Sequence, residues 1–126
     1  MATSITITTG DKQFSAQLND TSTAAAIVAA LPIKADGRRW GEEIYFSIPV
    51  EAKSAPDARE VVQAGELGYW PAGNAFCLFF GPTPASRGDE IRAASPVNIV
   101  GNLLGDYADL SDVPDGVSIE VRLSGS

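Results

Sequence analysis

From Gly68 to Pro84 the chain reads Gly-Tyr-Trp-Pro-Ala-Gly-Asn-Ala-Phe-Cys-Leu-Phe-Phe-Gly-Pro-Thr-Pro, gathering aromatic side chains around one turn and one apolar run. Pro71-Ala72-Gly73-Asn74 has turn chemistry: proline pre-sets φ, and glycine and asparagine tolerate positive φ. The flanking arms, Leu67 to Trp70 and Ala75 to Phe80, therefore form a hairpin. The second arm is apolar on both faces, which a strand sustains only when both faces are covered, so it lies centrally in a sheet. Alternation sends one set of its side chains inward and the other outward, and the outward set needs a cover of its own. If that cover is missing, a ligand groove or a subunit interface is the natural reading.

The rest of the chain supplies partners for that hairpin. Ile5 and Ile7 alternate with threonines, Gly10-Asp11 makes a turn, and Phe14, Ala16 and Leu18 alternate again, giving an opening hairpin. Asn19-Asp20-Thr21-Ser22 offers N-cap side chains for one short buried helix, Thr23 to Leu31, apolar on every face and stopped by Pro32. Its alanines suit close packing, as a plug over a barrel end or in an ordinary layer contact. Glu43 to Ile48 reads as a half-buried strand with Ile44, Phe46 and Ile48 on one face and Glu43, Tyr45 and Ser47 on the other. Residues 52–57 form a surface loop. Periodicity leaves Ala58 to Val62 open between a helical turn and a strand, with a strand near Val61 and Val62 preferred. Val97 to Val100 and Val117 to Leu123 close the sheet, and Asp106 to Asp115 is a short polar connection.

With 126 residues the chain is one domain, 1–126, of mainly β class, arranged as a small barrel or sandwich. No apolar run approaches the ~20 residues of a membrane-spanning helix, and the start lacks a signal-peptide pattern, so the expected location is cytoplasmic, away from membranes. A net charge of −7 with scattered basic residues argues against nucleic acid. One cysteine, Cys77, excludes an internal disulfide, and the absence of histidine removes imidazole bases, Ser-His-Asp triads and His-ligated metals. The series Asp106, Asp109, Asp112, Asp115 lacks the alternating oxygen ligands and terminal glutamate of a calcium loop. Neither a metal nor a cofactor is expected.

Three ordered motifs, Trp40-Gly41-Glu42-Glu43-Ile44-Tyr45-Phe46, the Gly68 to Pro84 stretch and Ala93-Ala94-Ser95-Pro96-Val97-Asn98, resemble the signature of a small prokaryotic cyclophilin-like family of uncharacterised function. The resemblance covers nearly the whole chain and implies a closed eight-stranded β-barrel with a helix packed at an end. True cyclophilins are peptidyl-prolyl isomerases with a catalytic arginine, an apolar proline pocket and a histidine. This chain has no histidine and no Phe-His-Arg run, so that arginine has no assigned counterpart here.

The candidate residues each have a plain alternative. Tyr45, Tyr69, Trp70, Phe76, Phe79 and Phe80 could floor a groove for a proline ring or apolar ligand, or simply be core. Arg92, in a glycine- and proline-bearing connection, is the first choice for an anchoring or electrophilic arginine, against a salt bridge to Asp89 or Glu90. Arg38, in the segment Arg38 to Glu43, is the second, against an exposed turn of solvated charges. Thr83, Ser86, Ser95 and Asn98 offer hydrogen-bonding groups but sit where such side chains organise turns. Glu42 and Glu43 point to opposite faces and cannot pair as acid and base, and Cys77 reads as an inert buried thiol. Three readings follow: a domain binding a small molecule or extended peptide in an aromatic groove, a peptidyl-prolyl isomerase using Arg92 or Arg38, and a homodimeric or larger structural subunit.

Overall fold

The computed structural model describes residues 2–124. The strands are β1 (Thr3–Thr9), β2 (Lys12–Leu18), β3 (Ile33–Asp36), β4 (Arg38–Arg39), β5 (Glu43–Ser47), β6 (Arg59–Val62), β7 (Glu66–Trp70), β8 (Ala75–Phe79), β9 (Ile91–Leu103) and β10 (Ser118–Leu123), with one helix, α1 (Ser22–Ala30). All the strand pairings are antiparallel and run β3-β10-β1-β2-β9-β7-β8-β5-β4, with β6 added to β9.

Both expected hairpins, the helix, the strand from Glu43 and the strand at Val61 and Val62 are present. Thr21 caps α1, its hydroxyl accepting from the Ala24 amide at 3.2 Å. Only one stripe of α1, Thr23, Ala24 and Ile27, is buried; Ala25, Ala26 and Ala29 face outward. The polar connection from Asp106 contains a 3-10 turn, Ala108–Asp112, whose Leu110 reaches the core.

The architecture departs from a closed eight-stranded barrel. Nine of the ten strands form one path, with β6 off it on β9, and hydrogen bonds do not close that path, because its two ends, β3 and β4, are consecutive stretches separated by Gly37 alone. Antiparallel pairing between them needs a turn of at least two residues, so they run on as one extended segment, β3 on β10 and β4 on β5. Gly37 bridges the junction: its amide donates to Val117 O (2.7 Å) and its carbonyl accepts from the Gly116 amide (2.8 Å).

Inside the curved sheet lies the main core, including Ile5, Ile7, Leu18, Ile27, Ile44, Phe46, Leu67, Tyr69, Phe76, Leu78, Val100 and Val121. Phe46 and Phe76 stack with ring centroids 5.4 Å apart. Tyr69 keeps its hydroxyl satisfied in the interior, donating to Val50 O (2.7 Å), accepting from the Ala52 amide (3.1 Å) and lying 3.0 Å from Asn74 Oδ1.

A second, smaller core lies on the outer face, where β8 turns Ala75, Cys77 and Phe79 away from the main core. Its cover comes from β6 and from the first half of β9, which brings Val62, Ile91, Ala93 and Val97 over that face. Strand β9 begins at Ile91, so Arg92 lies in a strand and not in the connection expected from the glycines and prolines. The strand tolerates Pro96 because it falls where the β6–β9 ladder is irregular: β6 pairs Ile91 and Arg92 and then only Val97, and β7 takes over from Asn98. Gly68 permits the layers to close: a Cβ there would lie 3.0 Å from Val97 and 3.1 Å from Phe79.

Candidate functional site

The outer cover is incomplete at one end. There a hollow of about 220 Å³ is lined by Trp40, Glu43 and Tyr45 from the β4–β5 side, Trp70 and Cys77 from the β7–β8 hairpin, and Ala93, Ala94 and Val97 from β9. Register explains the grouping. Tyr45 faces Cys77 across the β5–β8 ladder, Glu43 faces Phe79, and the Trp40 amide donates to Glu43 O at 2.9 Å, which sets Trp40 beside Glu43.

Trp70 is held in place from two sides. Its indole Nε1 donates to Ser95 Oγ at 2.5 Å. Its ring lies over Gly73, where a Cβ would come within 2.7 Å of the indole, so the ring takes the space of a side chain there, while the positive φ of the turn falls on Asn74 at 48°.

Glu43 is 5% exposed, and its Oε1 has no hydrogen-bond partner among the described residues. Burial pushes its pKa up to about 7, with the neighbouring Cys77 thiol pulling it partly back. The thiol in turn is pushed well above its ordinary range by burial and then by the Glu43 carboxylate, so Cys77 is no nucleophile at neutral pH. Alternation along β5 put Glu43 on the polar face; the signal the sequence lacked was that β9 folds over this face.

The structure places the other candidates as follows. Tyr45 and Trp70 line the hollow, whereas Tyr69 and Phe76 belong to the main core and Phe79 to the floor of the second core. Arg92 is paired with Glu90 (Nε to Oε2, 2.6 Å) and more loosely with Glu60 (3.8 Å). Arg38 is exposed, opposite Tyr45 in the β4–β5 ladder, and neither arginine lines the hollow. Arg39, next along, is a clamp: Nη1 donates to Ser111 O (3.1 Å) and Val113 O (2.8 Å), Nε donates to Gly41 O (3.1 Å), and its guanidinium lies 5.2 Å from the Phe80 ring centroid. Thr83 donates to Arg92 O, and Ser86 Oγ accepts from the Thr83 and Arg92 amides, so these hydroxyls organise the 82–92 connection. Asn98, 2% exposed, ties α1 to the 52–57 loop through Thr23 Oγ1, Lys53 O and the Ala55 amide. Asp106 and Asp115 accept from the Ala108 and Arg39 amides.

Because Arg92 is engaged by two carboxylates outside the hollow, Arg92→Ala is expected to leave the thermal midpoint nearly unchanged and the environments of Trp40 and Trp70 untouched. Paired thermal melts and tryptophan emission spectra check this; a shifted emission maximum would place Arg92 in the site.

A mainly β domain whose hollow lies on the outer face of its sheet, roofed by a strand that crosses from one layer to the other, is the class these observations define. Over residues 3–122 the chain matches the family model described as cyclophilin-like, and it belongs to that family. No curated protein matches it. Among solved structures it is similar to the solution structure of the hypothetical protein AF2241 from Archaeoglobus fulgidus, with 37% identity, a TM-score of 0.84, and coverage of 97% of this chain and 95% of that one. The shared fold carries no activity from either, since function resides in the site. No helix among the described residues is long and apolar enough to cross a membrane.

Proposed function

We propose that this cyclophilin-like domain binds a small molecule, or one side chain of an extended peptide, in the hollow bounded by Trp40, Tyr45 and Trp70. The observation that carries the reading is that these three half-buried aromatic residues meet around a hollow over the outer face of β8, beside the buried Cys77. Large amphipathic rings around a concavity, with few polar groups, are the usual make-up of a ligand pocket. At about 220 Å³ the hollow is smaller than most such pockets, so its occupant is compact or is only the tip of a larger molecule.

Both tryptophans of the chain stand at this one hollow, so intrinsic fluorescence reports on it directly. The test is a fragment library screened by amide chemical-shift mapping. Shifts should concentrate on Trp40, Tyr45, Trp70 and Ala93 to Val97, and Trp70→Ala should weaken the hits by about tenfold or more, the loss typical of a tryptophan anchor. Fragments gathering instead at the open hollow beside Lys34 and Asp36, or binding undiminished by Trp70→Ala, would sink the proposal.

A further inference from the structure

The hollow differs from a plain apolar pocket in one respect: a carboxylate forms part of its wall. Glu43 is almost fully buried, and its Oε1 finds no donor among the described residues. An unpaired buried oxygen of this kind is costly, and a ligand that donates to it removes the cost. The indole and phenol rings beside it carry electron-rich faces that attract cations, Trp most strongly. No Lys or Arg lines the hollow to compete, and the net charge of −7 enriches cations around the protein.

From this juxtaposition we infer that the hollow selects an organic monocation of the alkylammonium or arylalkylammonium class, whose N–H donates to Glu43 Oε1 while its carbon frame packs on Trp40, Tyr45 and Trp70. The inference rests on the pocket reading above and names the ligand class that reading leaves open. A free amine and a lysine side chain on a peptide share this chemistry.

Binding of this kind depends on pH through Glu43, which must be ionised to hold a cation. The other titratable groups lining the hollow are Tyr45 and Cys77. Strand β8 brings no charged residue. On β4, Arg39 is occupied by carbonyls and Arg38 is exposed opposite Tyr45; on β9, Arg92 is held by Glu90 and Glu60; on β6, Arg59 pairs with Glu66 at 2.9 Å. Glu42, on the opposite face, lies 3.6 Å from Arg39. With Glu43 held up to about 7, ligand uptake below that pH releases a proton.

The experiment titrates the intact protein with benzylammonium, with its uncharged isostere benzyl alcohol, and with the tripeptide Gly-Lys-Gly, following Trp40 and Trp70 fluorescence. At about pH 8 the charged probe should bind at least tenfold more tightly than the alcohol, as a desolvated cation contact requires. Its affinity should fall about tenfold between about pH 8 and pH 6, and Glu43→Gln should abolish both the preference and the pH dependence. Tighter binding of the tripeptide assigns the cation to peptide side chains, and tighter binding of benzylammonium assigns it to a free amine. Equal affinity for benzylammonium and benzyl alcohol, or a preference that survives Glu43→Gln, overturns the cation inference while leaving the pocket reading standing. Silence of both tryptophans toward every probe overturns the inference, and the fragment map then decides the pocket reading separately.

Discussion

Gly101→Ala is expected to destabilise the domain by at least about 3 kcal/mol, a large share of the 5–15 kcal/mol that holds a typical domain folded. Gly101 lies where β9 runs between β7 and β2, paired with Leu67 on one side and Leu18 on the other. A Cβ there would stand 2.1 Å from Gln17 O and 3.0 Å from the Leu18 Cα. Both atoms are backbone, so no side chain can swing aside; β2 and β9 must separate and give up ladder hydrogen bonds beneath the main core. Urea unfolding of Gly101→Ala beside Asn102→Ala, an exposed neighbour, makes the comparison. Asn102→Ala should shift the midpoint little, and an unchanged midpoint for Gly101→Ala would show that the close approach of β2 and β9 does not exist.

The second large effect is electrostatic and grows with pH. Glu43 has a folded pKa of about 7 against an ordinary value of 4.5, so the folded state holds a proton that the unfolded state releases between those values. Its contribution is therefore most favourable below pH 4.5, declines as pH rises, and is fully lost above about 7, where folding must bury the charge. Two and a half pH units correspond to roughly 3–4 kcal/mol in full, of which roughly 2–3 kcal/mol falls between pH 5 and pH 8. Glu43→Gln keeps the shape without the charge, so its stability relative to the parent should rise by that amount from about pH 5 to pH 8, read from unfolding curves at both pH values. A difference that stays constant with pH would mean that Glu43 is solvated and that the outer cover is looser than described.

The contrast between Glu43 and Arg92 shows how far sequence reading reached. Alternation puts Glu43 and Tyr45 on the face opposite Ile44 and Phe46, and the structure agrees, but that face is buried at Glu43 because β9 folds over it, which nothing local in the sequence announces. The roofing strand was hidden by its own composition: Ser95-Pro96 reads as a break, and only the irregular stretch of the β6–β9 ladder between Arg92 and Val97 makes proline acceptable inside a 13-residue strand. Arg92 moved from a connection to a strand for the same reason. Tyr69, Phe76 and Phe79 are indistinguishable from Trp70 by type, and register alone sends them to the two cores while Trp70 reaches the hollow. Strands β3 and β4 escaped notice because four and two residues are too short for periodicity to register.

By itself the sequence determined the mainly β class, the two hairpins, the capped helix and the exclusion of histidine-based chemistry, since turn residues, alternation and composition act over a few neighbouring positions. Tertiary structure alone decided the nine-strand path whose two ends Gly37 joins along the chain, the second core outside the sheet, and the meeting of Trp40, Glu43, Tyr45 and Trp70 at one hollow. Those features arise from pairing between strands far apart in the chain, where a one-residue change of register exchanges the buried and exposed faces.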